Sequence, residues 1–182
     1  MNRINIPAAD QTPAASRPLL AAVHKQLGVV PNLMKVLGNS PAALGGYLSL
    51  SGALGKGALG AKTGERIALA IAEINRCNYC LAAHTYLGKN VARLADAEIV
   101  ANRNGNSTDT HAAAAVQFAA KVAHARGHVS DADVQAVKGA GFSDADVMEI
   151  VVHVALNTLT NYVNEVAQTE IDFPAAAMLH AA

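Results

Sequence analysis

Glu65-Arg-Ile-Ala-Leu-Ala-Ile-Ala-Glu73-Ile-Asn75-Arg76-Cys77-Asn78-Tyr79-Cys80-Leu-Ala-Ala-His84 decides how this chain is read, because both of its cysteines fall inside that stretch. Cys77, Cys80 and His84 follow one another at steps of three and four residues, which return side chains to one face of a helix. At ~1.5 Å of rise per residue, helical positions 77 and 80 have Cα atoms about 5 to 5.5 Å apart, within the span of a disulfide. The pair can close and reopen without large backbone movement, and His84, one turn beyond Cys80, is placed to exchange a proton with it. The two carboxylates of the stretch make different demands. On an unbroken helix Glu73 would sit one turn before Cys77 and raise its pKa, while Glu65, about 22 Å from Cys80, could not help. A break near Asn75-Arg76 instead folds Glu65 back against His84 across two antiparallel helices. It also places both cysteines at a helix N-terminus, which favours thiolate. The chemistry prefers the break.

The rest of the chain bounds the setting. Its 182 residues suit one domain, 1–182, with the motif inside a core at 60–125. Aromatics make up only 4% of the residues and tryptophan is absent, while alanine abounds, so an all-α fold is expected. Fourteen basic residues balance fourteen acidic ones without a basic cluster, so nucleic acid is not an expected partner. With no apolar leader at the amino terminus and no run of eighteen apolar residues, the expectation is a soluble cytoplasmic protein without a membrane partner. In a reducing compartment, closely spaced cysteines point to catalysis or metal binding rather than to a structural staple.

Caps, early prolines and trailing glycines divide the sequence into about eight helices. Ser16-Arg-Pro18 opens a segment ending at Gly28, Pro31 starts a short one, and Ser40-Pro41 opens another that runs to Gly55-Lys-Gly57. Thr63 or a neighbour caps the helix carrying Glu65, and the cysteine helix runs to about Val91. Segments 96–103, 109–126, 130–137 and 143–170 follow, the last two each opened by a Ser-Asp pair. A weak internal similarity pairs 63–84 with 143–164, setting Cys77, Cys80 and His84 opposite Asn157, Thr160 and Asn164.

The motif resembles the core of the AhpD-like alkylhydroperoxidases, within the carboxymuconolactone decarboxylase superfamily. That pattern is Glu, eleven residues, Cys, two residues, Cys, three residues, His, and Glu65, Cys77, Cys80 and His84 satisfy every interval. Leu27-Gly-Val-Val-Pro31-Asn32 and Ala140-Gly-Phe-Ser-Asp-Ala-Asp146 are similar to stretches of a peroxidase-related branch of the family. The resemblance implies an AhpD-like helical fold assembling as a homo-oligomer, trimer or hexamer. It implies a dithiol cycle in which Cys80 attacks a hydroperoxide and becomes a sulfenic acid, and Cys77 resolves it as a disulfide. His84 and Glu65 would relay the proton. No cofactor would be bound; an external dihydrolipoyl or thioredoxin-like reductant would return the thiols. The best-studied members carry a histidine just before the second cysteine, where this chain has Tyr79. A phenol of pKa near 10 can donate a hydrogen bond but hardly exchanges protons at neutral pH.

Plainer readings stand beside this one. A Cys pair in an alanine-rich helix can be simple core. Two cysteines and a histidine could ligate zinc, but supply three of the four ligands a structural site takes, so no metal is expected. Tyr79, Glu73 and Asn161 are candidate site-lining residues, with Asn164 beside Asn161 on the last helix. His24, His111, His124, His128, His153 and His180 have no acidic or cysteine partner at catalytic spacing and read as structural or exposed. The expected function is reduction of small organic hydroperoxides. The alternatives are a dithiol–disulfide oxidoreductase on the same fold, or a non-enzymatic oligomeric or metal-binding protein with a vestigial site.

Overall fold

Every side chain from Arg66 to Ala72 is buried, a condition a helix meets only when other elements surround it. In the computed structural model, which describes residues 2–177 and 179, that helix is the centre of the fold. Among the described residues there are nine helices and no strand: α1 (Arg17–Leu27), α2 (Asn32–Leu37), α3 (Pro41–Leu54), α4 (Gly60–Ile74), α5 (Asn78–Asn90), α6 (Asp96–Arg103), α7 (Thr110–His124), α8 (Asp131–Gly139) and α9 (Asp144–Ala167). Ala68, Ala70 and Ala72 keep α4 slim enough for α5, α6, α7 and α9 all to pack on it. One side of the core joins Ile67 and Ile71 to Phe118, Val137, Phe142 and Ile150. The other gathers Leu33, Leu37, Leu44 and Leu81 around the two cysteines.

The helix starts follow local capping chemistry. Ser130 and Ser143 close capping boxes with Asp133 and Asp146, Asp109 caps α7, and Ser40 accepts the Ala43 N–H in front of Pro41. Three features differ from the sequence reading. Nine helices stand where about eight were expected, one in each of the nine segments that the caps, prolines and glycines mark. α4 begins at Gly60 rather than at Thr63, because Glu149 of α9 accepts the N–H groups of Ala58 at 3.0 Å and Leu59 at 3.1 Å. A carboxylate ninety residues downstream anchors that turn, and no local signal announces it. α9 stops at Ala167 instead of 170, since Gln168 turns left-handed with φ 50° and returns its N–H to Asn164.

Segments 63–84 and 143–164 also part company: α4 ends at Ile74 and α5 starts at Asn78, whereas α9 runs unbroken. Their likeness is that of two alanine-rich helical patterns. Among the described residues no helix is long and apolar enough to cross a membrane. His180 lies outside the described residues.

Candidate active site

The site begins with the way α4 ends. Arg76 adopts a left-handed φ of 54° and donates its N–H to Glu73 O at 3.0 Å, and Cys77 N–H reaches back to Ala72 O at 3.0 Å. These two bonds form a Schellman closure. A non-glycine residue in that conformation costs about 1–2 kcal/mol, which the closure and its surroundings offset. The residue that finishes one helix starts the next. Cys77 is the N-cap of α5, and its Sγ accepts the Cys80 N–H at 3.3 Å, where Ser or Asp would ordinarily supply oxygen. Asn75 donates from Nδ2 to Asn161 Oδ1 at 2.8 Å and ties the turn to α9.

The break brings Glu65 and His84 together. His84 Nδ1 and Glu65 Oε2 are 2.9 Å apart, and both side chains are 21% exposed, half-sheltered at the edge of the core. A carboxylate only accepts, so Nδ1 carries the hydrogen and Nε2 is the nitrogen left to exchange protons elsewhere. Burial pushes the Tyr47 phenol up, a hydrogen bond with Ser51 opposes it, and the charge of Glu65 adds to the rise. His153 of α9 lies against Gly64, where a Cβ would come within 3.0 Å of its ring. Burial holds this imidazole below its ordinary pKa, although Glu149 and Glu65 pull the other way. His153 therefore sits near a carboxylate that its sequence spacing did not reveal.

Cys77 and Cys80 are joined as a disulfide with Cα atoms 5.3 Å apart, and both are buried. Asn164 of α9, itself buried, donates from Nδ2 to Cys80 Sγ at 3.2 Å. Its Oδ1 has no hydrogen-bond partner among the described residues, nor has Asn161 Nδ2. A buried polar atom left this way costs about 1–3 kcal/mol.

Tyr79 serves a clasp. Its O–H donates to Asp172 Oδ1 at 2.8 Å and its oxygen accepts the Leu33 N–H at 3.1 Å, while Asp172 Oδ2 accepts the Asn32 N–H at 2.7 Å. Phe173 meets the Tyr79 ring edge-on with centroids 5.8 Å apart. Burial raises the Tyr79 pKa far above its ordinary value, and Asp172 adds to the rise against the opposing Leu33 N–H. This phenol keeps its proton.

Four of the motif residues thus form one assembly: Glu65 on α4 meets His84 on α5, and α5 opens with the cysteine pair. Glu73 is not among them, because Arg103 Nε holds its Oε2 at 2.6 Å. Asn161 pins the turn rather than facing sulfur; Asn164, one turn on, is the residue that touches it. Asp172 was invisible to spacing arguments, lying 93 residues from its partner Tyr79. Among the described residues no three His, Cys, Asp or Glu side chains gather in a way that could hold a metal ion.

Fold and site together define the class: an all-α AhpD-like protein in which a Glu–His pair stands beside a Cys-x-x-Cys pair. Residues 41–125 match the model of the Carboxymuconolactone decarboxylase family, and the AhpD-like fold is shared with proteins described as peroxidase-related. A peroxidase-related protein of Ralstonia eutropha JMP134 with an alkylhydroperoxidase AhpD core is 25% identical, with TM-score 0.83 over 94% of this chain and 92% of its own. A peroxidase-related protein of Silicibacter sp. TM1040, also 25% identical, superposes with TM-score 0.80 over 93% of this chain and 91% of its own. The debrominase Bmp8, 16% identical, shares the fold at TM-score 0.77 over 93% of this chain and 92% of its own. No curated protein matches the chain.

Proposed function

We propose that this protein is a cysteine-based peroxidase that reduces small organic hydroperoxides. The observation that carries the reading is the 2.9 Å contact between His84 and Glu65, made by the same backbone break that sets Cys77 at the N-cap of α5. In the reduced enzyme the Cys80 thiolate attacks the terminal peroxide oxygen, the O–O bond breaks toward the alkoxy oxygen, and Cys80 becomes a sulfenic acid. An alkoxide is a very basic leaving group, so delivering a proton to it matters more than lowering the thiol pKa. His84, oriented by Glu65, is placed for that delivery. The Cys77 thiolate then displaces hydroxide from the sulfenic sulfur, a proton completes water, and the disulfide forms. An external dihydrolipoyl or thioredoxin-like dithiol returns both thiols. No metal or haem takes part. We place the activity in the cytoplasm, in a homo-oligomer of three or six chains, as the family resemblance implies.

A second reading, dithiol–disulfide exchange, is favoured by one feature: Cys77 Sγ already accepts a backbone N–H at a helix N-terminus, the setting that stabilises a leaving thiolate. The two separate in one assay panel. Consumption of tert-butyl hydroperoxide with a dithiol donor is compared with reduction of a small disulfide. A peroxidase turns over the hydroperoxide fastest, and Cys80→Ser loses that activity. Equal rates for Cys80→Ser and the unaltered protein would sink the proposal.

A further inference from the structure

We infer that Asn164 is a catalytic residue of this site: its N–H holds the Cys80 sulfur while its carbonyl oxygen receives the hydroxyl of the incoming hydroperoxide. The inference rests on the peroxidase reading and adds a substrate-binding group to it. A disulfide sulfur has no hydrogen to give, so the edge of the amide facing Cys80 Sγ at 3.2 Å must be N–H. The oxygen of the same amide, the other arm of a group whose N–H touches the sulfur, is on a side chain only 2% exposed and has no hydrogen-bond partner among the described residues. The surroundings are apolar, with Val163, Leu48 and Phe173 packed on the cluster that holds both cysteines. Asn161, one turn earlier, spends its oxygen on Asn75, so of these two α9 amides it is Asn164 whose oxygen is free to accept.

A fixed acceptor next to an attacking thiolate suits a substrate whose attacked atom carries a hydrogen. A hydroperoxide, HO–OR, is such a substrate; a dialkyl peroxide is not. In the step itself Cys80 Sγ forms a bond to the hydroxyl oxygen and the O–O bond breaks, both its electrons going to the alkoxy oxygen. That oxygen takes a proton from His84 and leaves as alcohol. The hydroxyl hydrogen stays on the transferred oxygen throughout, donating to Asn164 Oδ1 in the substrate, in the transition state and in the Cys80 sulfenic acid. Sulfur is oxidised, the peroxide is reduced, and the amide changes nothing but the placement of both.

The test uses full-length protein with Cys77→Ser, so that Cys80 is the single thiol, with and without Asn164→Ala. Thiolate absorbance gives the Cys80 titration, and stopped-flow trapping of the sulfenic acid gives its rate of formation by tert-butyl hydroperoxide across pH. Removing the N–H donor is expected to raise the Cys80 pKa. Removing the acceptor is expected to slow sulfenate formation about tenfold even at high pH, where both proteins are fully thiolate. Asn164→Asp, which keeps the shape and an acceptor oxygen but no N–H, should raise the pKa further and recover most of that high-pH loss. It also shows whether a weak Ala variant is merely misfolded. High-pH rates that coincide with and without Asn164→Ala would overturn the inference and leave the peroxidase reading intact. No sulfenic acid in the Asn164-containing protein, with a normally titrating thiol, would overturn both.

Discussion

Glu65 and His84 are nineteen residues apart in sequence and 2.9 Å apart in space, with a single hydrogen bond between two half-sheltered side chains. At this scale a carboxylate does two things for an imidazole: it fixes the tautomer, and it steadies the positive charge when the ring holds a second proton. Glu65→Gln keeps the size but loses the charge. Hydroperoxide consumption should fall about a hundredfold, the low end of what a positioned acid–base group contributes. An initial-rate assay at saturating dithiol checks this, and a variant within twofold of the unaltered protein would remove Glu65 from the mechanism. These two residues and the cysteines were legible in the sequence because all lie within one helix–turn–helix, where spacing translates directly into geometry. The contact of Asn164 with Cys80 and the clasp of Asp172 on Tyr79 span 84 and 93 residues. No periodicity reaches that far; only the packing of α9 and the segment after it against α5 makes them.

The hinge between α4 and α5 is an element that the residue types at its ends half-announce. Asn75 is a natural helix stop, but Arg76 is a poor choice for a left-handed position, which glycine fills at no steric cost. Arg76 is exposed, so its identity affects the turn more than the core. Arg76→Gly should leave stability unchanged or raise it by up to about 1 kcal/mol, the relief of strain set against the greater freedom of glycine in the unfolded chain. Arg76→Val should lower stability by about 1–2 kcal/mol, since a β-branched residue tolerates the left-handed region worst. Urea unfolding of the two variants decides; if valine is as stable as glycine, the turn does not depend on φ at position 76. The Ser and Asp helix starts were readable because each cap bonds within three residues. The start of α4 was not, because its capping carboxylate, Glu149, comes from another helix.

Across the whole molecule, the buried carboxylate of Glu98 fastens α4, α6 and the 107–108 loop together. It takes hydrogen bonds from Arg66 Nε at 2.7 Å, Asn102 at 3.0 Å, the Ser107 hydroxyl at 2.6 Å, and both the N–H and the hydroxyl of Thr108. Burial alone would raise its pKa, but the hydroxyl, amide and backbone donors outweigh burial and hold it far below the ordinary 4.5. The sign of the pH effect follows. Below pH 4.5 the unfolded chain takes up a proton that the folded one refuses, so stability present at neutral pH is lost as the solution becomes more acid. His153 acts the same way from about its ordinary 6.5 downward, because burial keeps it neutral in the fold while the unfolded chain charges. Thermal melts should thus decline gently from pH 6.5 and steeply below 4.5. Glu98→Gln should flatten the steep part and cost about 3 kcal/mol at about pH 7, since it leaves buried Arg66 with only the exposed Asp109 carboxylate, 3.8 Å away, to balance its charge. Melting that stays equally acid-sensitive in the Glu98→Gln variant would assign the steep part elsewhere. The disulfide, by contrast, ties together nothing that the chain does not already hold close. Cys77 and Cys80 are three positions apart on the first turn of one helix, and so short a loop restricts the unfolded chain very little. Gaining or losing two electrons at this pair therefore leaves the durability of the molecule almost untouched. Under the proposed dithiol cycle, which spends part of every turnover oxidised and part reduced, the molecule presents the same body in both states.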